Sequence, residues 1–415
     1  MKTPVFLGIL VTAALLVPPC PPIHAAPPGG TLNGGKPINA RPVPTGQRVT
    51  VQPRMLEKMA EAAFLQKFTA EFISRCKTKA VGCVIAAVGP HGLWSEQAVG
   101  AARRDPDPSP RDWTANDKIT MASVSKVFTG AALLKLLSDK GISADAKIGP
   151  YLLPHWKRSK AVDDVTFRQL LTHTSGLPCT EVTYEGLKAC LATAQPAPEP
   201  PNYHNANFAL MRLLIPQIRG MSAATLKPMV DADLAGNSGW IAASHAILYR
   251  QYVNDAIFAP AGLPVMQCKP TDALPALSYK SITADPYDFS KVGPGEPWGD
   301  IGDTCGSEGW FLSGHQMAQT MRAIMTPGKI LPAAVLEAMQ KDGLGVDHGV
   351  YGGGLEAWYH FGGHPASQNN GEINTLIIHF NNGVSAGVIL NSPYGESGHP
   401  GDFGQDLIAS IQAAG

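Results

Sequence analysis

Two β-hairpin patterns stand near opposite ends of the chain, and the long stretch between them reads as helix. "GCVIAAVGPHGLWSEQAVGAA" is a pair of β-prone runs around a Gly-Pro-His-Gly turn. "INTLIIHF", "NNG" and "VSAGVILN" form strand, turn and strand, followed by a short closing helix in "DFGQDLIASIQAAG". Between them, "VFTGAALLKLLSDKG", "TFRQLLTHTSG" and "GHQMAQTMRAIMTPG" carry apolar residues at helical spacing. Strands can complete a sheet only with other strands, so this order predicts an α+β protein. Its antiparallel sheet is built from both termini and flanked by helices, with a large, mostly helical lobe inserted. The expected sheet lobe covers about residues 55–120 and 305–415, and the helical lobe about 121–304.

The chain before residue 55 is different in kind. Lys2, an apolar run to Val17 and small residues after Ile23 follow the layout of a secretory signal peptide over residues 1–25. Pro18, Pro19, Pro21 and Pro22 interrupt the run too early for a membrane anchor. Residues 26–54 are rich in Pro and Gly and poor in large apolar side chains, the composition of a linker. "MLEKMAEAAFLQKFTAEFISRC" then opens the domain as a helix, with Met55, Met59, Phe64, Phe68 and Phe72 on one face. Removing the leader takes Cys20 and leaves six cysteines, an even number suited to an exported protein. Sequence neighbours suggest the pairs Cys76 with Cys83, Cys179 with Cys190, and Cys268 with Cys305. The expected location is periplasmic or secreted, with no stable membrane span once the leader is gone.

Lys+Arg and Asp+Glu both total 33, with no long run of like charge, which argues against a nucleic-acid partner and for a small molecule or a cell-wall peptide. Oligomeric state is not legible. Of twelve histidines, only His360 and His364 approach helical spacing, and they flank "FGG", so no metal or other cofactor is expected. "GVSAG" at 383–387 matches G-x-S-x-G, but Ser385 opens a strand leaving a hairpin, where a nucleophile elbow requires a strand-to-helix turn.

"MASVSKVFTG" at 121–130 offers a better nucleophile. Ser123 and Lys126 are three apart and share a helix face, whereas Ser125 has Phe128 at that distance. A lysine can take a serine proton only if desolvation or nearby positive charge keeps the amine neutral, and "VFTGAALLKLL" supplies an apolar flank. At a helix start the Ser123 N–H is also free to bind an oxyanion. Serine and lysine at this spacing recur by chance, so the motif needs context. "PNYHNANFALMRLL" places Tyr203 and Asn205 before an apolar helix, and "YHFGGHP" places His360 and Gly362 at the end of a strand-like run.

In this order, the three segments resemble the serine β-lactamase and penicillin-binding protein superfamily, especially class C β-lactamases and their esterase and peptidase relatives. "FRQLLTHTSGLP", "FAPAGL" and "SEGWFLSGHQMAQTM" extend the likeness over about residues 55–415. The resemblance implies that Ser123 attacks an ester or amide carbonyl, that Lys126 is its base, and that an acyl-enzyme forms. It implies a Tyr203 phenol, its pKa lowered by Lys126, that relays a proton to the leaving group or activates water. Asn205 would orient Lys126 and the substrate amide; its ordinary alternative is a helix N-cap. His360 and Gly362 would border the substrate, and the N–H of Gly363 would complete an oxyanion hole with Ser123.

His360-Phe361-Gly362 stands where many lactamases have Lys-Thr-Gly. A histidine is mostly neutral at pH 7, so substrate carboxylates should bind weakly. If His360 did carry the charge for them, kcat/KM would fall as pH rises through the histidine range. The run after it leaves the register between His360 and His364 open. The segment 221–251, with Trp240 and Tyr249, either shapes the pocket or forms a surface helix pair. The expected function is an exported serine hydrolase acting on a β-lactam, a D-amino-acid peptide or a small ester. The alternative is a catalytically weak or inactive binding or regulatory protein on the same fold.

Overall fold

The computed structural model describes residues 61–367, 370–395 and 400–415; the leader, the linker, Met55 and Met59 lie outside the described residues. The strands in chain order are β1 (Gly82–Val88), β2 (Trp94–Arg103), β3 (Arg111–Asp112), β4 (Ile119–Thr120), β5 (Phe311–Leu312), β6 (Asp347–Tyr351), β7 (Leu355–His364), β8 (Ile373–Phe380) and β9 (Ser385–Leu390). Seven form one sheet in the order β3-β2-β1-β9-β8-β7-β6, while β4 and β5 pair separately. The adjacent, antiparallel β1 and β9 join the two ends of the chain, as the two hairpin patterns require. β1 is buried along its whole length, which is why "GCVIAAV" shows no polar alternation. Its turn into β2 uses Gly92 at φ 88°, a left-handed conformation open to glycine.

The two faces of the sheet bury different partners. One packs Cys83, Ile85, Tyr359, Phe361, Leu376 and Val388 against α1 (Glu61–Cys76), where Phe64, Phe68 and Phe72 point inward as their spacing predicts, and against a C-terminal helix at Pro400–Ala414. The other carries Val84, Ile373, Ile377 and Ile389 into a larger core shared with the helical segments. At the centre of that core is α2 (Ser125–Asp139), buried on nearly every side. Beside it run α3 (Asn205–Arg219) and α5 (Gly239–Val253), and α4 (Ala223–Leu234) packs against α5. Another helix, α6 (Gly314–Met325), starts from a Ser313/Gln316 capping box and lies on β1 and β9.

The three expected disulfides form: Cys76–Cys83 ties α1 to β1, Cys179–Cys190 closes a loop, and Cys268–Cys305 anchors the segment leading to β5. The 221–251 segment combines both anticipated roles. Trp240 is half exposed, but Tyr249 is buried, sharing a 2.7 Å hydrogen bond with Thr129 Oγ1 and donating to Cys305 O at 3.3 Å. Trp310 Nε1 donates to the same phenol at 3.2 Å, so α5 braces both ends of the 305–310 loop. Ser385 is fully buried in β9 against His379 Nδ1 at 2.8 Å, out of reach of any substrate.

Candidate active site

The nucleophile segment is held by bonds to strands far away in sequence. β4 pairs with β5, Met121 N–H donates to Trp310 O at 2.7 Å, and Thr375 Oγ1 on β8 donates to Met121 O at 2.8 Å. Thus pinned, residues 122–124 make one tight helical turn before α2, with Ala122 forced to φ 47°. Strain at this position is of the kind that accumulates beside reacting groups and is held by the surroundings. Ser123 is the one residue from Met121 to Leu134 that is not buried. Ser125, the alternative serine, is buried and accepts the Trp310 N–H at 3.2 Å.

Lys126 Nζ lies 2.9 Å from Ser123 Oγ and donates to Ser307 O at 2.7 Å. Its side chain is fully buried, and burial lowers its pKa from 10.5 to about 7, with the Glu308 carboxylate pulling the other way. A large share of these amines is therefore neutral at pH 7 and can accept the serine proton.

Tyr203 O–H donates to Ser123 Oγ at 2.7 Å, and the Lys126 ammonium sits 4.9 Å from its ring centre. The expectation of a lowered phenol pKa does not hold. Burial pushes it up, the bond to Ser123 opposes this, and Glu308 and Asp347 raise it further. The cost of burying a phenolate exceeds what the hydrogen bond to Ser123 returns. Tyr203 therefore keeps its proton and is a donor in the resting site.

His173, from "FRQLLTHTSGLP", sits at φ 56° and fixes this tyrosine. It accepts from His204 N–H at 3.2 Å, contacts Asn207 Nδ2 at 3.1 Å and packs its ring 4.5 Å from that of Tyr203. Asn205 is the first residue of α3, with His204 in the N-cap position. Its Oδ1 is buried without a partner, an acceptor left open in a polar site.

The third segment lies on β7, where His360, Gly362 and His364 alternate on one face. Phe361 points to the opposite core, so the site side of the strand carries both histidines. The His360 ring centre is 6.3 Å from that of Tyr203, and its Nδ1 donates to Phe361 O at 2.5 Å. Burial, helped by Lys126, holds His360 at about 3, so it carries no charge near neutral pH. Held this low, His360 is not expected to add a falling limb to a pH–rate profile between pH 5 and 8. His364 stacks at 4.5 Å on Trp298, and its Nδ1 is 4.0 Å from Glu308 Oε2. At Gly362 a Cβ would come within 2.4 Å of Met121 O and 3.1 Å of Val124 N, so only glycine lets β7 lie this close to the Ser123 turn.

A serine hydroxyl between a buried lysine and a protonated tyrosine, beside a bare strand edge, is an arrangement for attack on an acyl carbon. The family model described as Beta-lactamase matches residues 61–410. The chain belongs to the β-lactamase family. Solved structures share the fold of this β-lactamase-family protein at low identity. A D-amino acid amidase from Ochrobactrum anthropi SV3, complexed with D-phenylalanine, has a TM-score of 0.60 and 19% identity over 85% of this chain and 98% of that one. A D-stereospecific amidohydrolase from Streptomyces sp. gives 0.57 and 18% over 82% and 97%. The octameric penicillin-binding protein homologue from Pyrococcus abyssi gives 0.59 and 18% over 85% and 78%. No curated protein sequence matches the chain.

Within this family member, Ser123, Lys126 and Tyr203 meet directly, and β7 brings Gly362 against their turn. Ser307, Glu308, His173 and Trp298 were not anticipated as site residues. Ser307 and Glu308 lie in "SEGW" and His173 in "LLTHTSG", both visible as motif segments, so the signal was there for the segment but not for the side chain. Among the described residues, no group of His, Cys, Asp and Glu is placed to hold a metal.

Proposed function

We propose that the protein is an exported serine hydrolase that cleaves an ester or amide through a Ser123 acyl-enzyme. The observation that carries this reading is the placement of Ser123 Oγ between Lys126 Nζ at 2.9 Å and Tyr203 OH at 2.7 Å. Neutral Lys126 takes the hydroxyl proton as Oγ attacks the carbonyl. The N–H groups of Ser123 and Gly363 receive the developing oxyanion, each worth about 3 kcal/mol in comparable sites. As the tetrahedral intermediate collapses, Tyr203 passes its proton to the leaving group and regains one from Lys126. Water then cleaves the acyl-enzyme and frees the acid. Asn205 Oδ1 is open to accept an N–H from the acyl side of an amide substrate.

Neutral His360 offers nothing to a substrate carboxylate, which favours D-amino-acid amides and small esters over penicillins. The D-amino acid amidase and D-stereospecific amidohydrolase with the same fold agree with that preference. Three disulfides suit an oxidising compartment, and among the described residues no helix is long and apolar enough to cross a membrane.

The test is covalent capture. A fluorophosphonate should label the protein once, and peptide mapping should place the adduct on Ser123; an adduct elsewhere, or none, overturns the reading. Parallel assays with a p-nitrophenyl butyrate ester, a D-amino acid amide, a D-Ala-D-Ala peptide and nitrocefin rank the substrates. With an uncharged ester, kcat/KM should rise with pH through a midpoint near 7, because the deprotonated form of Lys126 is the active one. A profile flat from pH 5.5 to 8.5 would show that the lysine is not the base.

A further inference from the structure

The nitrogen bases around the nucleophile are held away from their charged forms. Burial lowers His173 and His364, with Lys126 contributing at both, and His360 stands at about 3. Against this background Glu308 stands out, among the described residues, as the acid whose field reaches Lys126, Tyr203 and His364 alike. It follows Ser307, whose carbonyl receives Lys126 Nζ at 2.7 Å, so its backbone is fixed beside the base. Its Oε2 is 4.0 Å from His364 Nδ1, and the side chain retains 21% exposure, sheltered yet reachable from solvent. Among the described residues no lysine or arginine pairs with it. His364 is clamped by Trp298, itself fixed through Nε1 to Ser278 Oγ at 3.0 Å. Two more buried atoms in the site, His364 Nε2 and Asn205 Oδ1, have no partner.

We propose that Glu308, with His364 and Trp298 behind it, forms a subsite for an ammonium group, so that the protein selects acyl compounds bearing a free amine close to the scissile carbonyl. This rests on Ser123 being the nucleophile, since that is what places the subsite one residue beyond the bond to the base. An ammonium supplies three donors, which suits the Glu308 carboxylate and the unpartnered Nε2 of the His364 ring next to it. A carboxylate in the same place meets Glu308 as a like charge, with only a half-charged Lys126 to offset it.

The test measures binding to Ser123→Ala protein by calorimetry at pH 7, so turnover plays no part. The probes are leucine amide, N-acetyl-leucine amide and N-succinyl-leucine amide, each as both enantiomers; at that pH an α-amine of pKa about 7.7–8.0 is mostly charged. In the better-bound enantiomer, the free amine should bind at least about tenfold more tightly than the acetyl compound, with the succinyl compound weakest. Glu308→Gln in the same background should bring the amine-to-acetyl ratio to about one, and Glu308→Lys should place succinyl ahead of amine. Equal binding of amine and acetyl compounds, or a preference that survives Glu308→Gln, overturns the proposal. Fluorophosphonate capture on the Ser123 protein separates the two failures. Loss of the adduct sinks the nucleophile, whereas an adduct with no amine preference sinks only the subsite.

Discussion

Ser123→Ala and Lys126→Met should each lower kcat/KM on an ester by about 10⁴-fold or more, and the double variant should be no worse than the poorer single. The non-additivity follows from the geometry. The serine has no proton acceptor as good as Nζ at 2.9 Å, and the lysine has no other task once the hydroxyl is gone. Kinetics with the two singles and the double test this; additive losses would mean that the groups act independently. A second consequence separates a catalytic lysine from a structural one. Burying Lys126 lowers its pKa from 10.5 to about 7, so the unfolded chain binds more protons than the folded one between those values. Folding stability therefore rises with pH across that window, and at pH 7 the burial costs on the order of 4 kcal/mol before its hydrogen bonds are counted. Lys126→Met should remove the pH slope and raise the thermal midpoint while abolishing activity. Denaturant titrations at pH 7 and 10 on both proteins check it.

How much of this could be read from the chain depended on whether the information was local. β1, β8 and β9 are apolar runs bounded by glycine turns, so the strands and the closing of both ends into one sheet were legible. Disulfide partners lay close in sequence and met as expected. Ser123 over Ser125 was decided by a three-residue step on a helix, and Ser123 is the serine that lies against Lys126 Nζ, whereas Ser125 accepts the Trp310 N–H. Charge was where sequence reading failed. A histidine in a motif looks like a group of pKa near 6.5, but His360 is buried beside Tyr203, and that burial, with Lys126 nearby, drives it to about 3. Tyr203 erred in the opposite direction, since proximity to a lysine could be guessed while the desolvation of the phenol could not. Glu308 was the hardest to see. It reaches the site through a carbonyl 181 residues from Lys126 in sequence, a closure that depends on Tyr249 and the Cys268–Cys305 bond holding the loop.

Gly362→Ala should reduce kcat/KM by about 10²-fold, although it adds only a single methyl group. Glycine is not required here for an unusual backbone angle. It is required because the new Cβ would lie 2.2 Å from Thr375 Oγ1 and 2.4 Å from Met121 O, and the second contact is to backbone. A threonine hydroxyl could rotate away, but doing so breaks its 2.8 Å bond to that same Met121 carbonyl, which fixes the Ser123 turn against β8. Either the strand or the turn must therefore move, and a shift of either separates the Ser123 and Gly363 N–H groups proposed to share the oxyanion. The neighbouring position gives the contrast. At Gly363 a Cβ meets nothing nearer than Asn374 Oδ1 at 3.7 Å and Ile373 O at 3.9 Å, ordinary contacts, and alanine retains the N–H. Gly363→Ala should lose far less activity than Gly362→Ala. If the loss falls on Gly363 instead, the critical feature is open space for the substrate at 363, and the close approach of strand to turn does not set the rate.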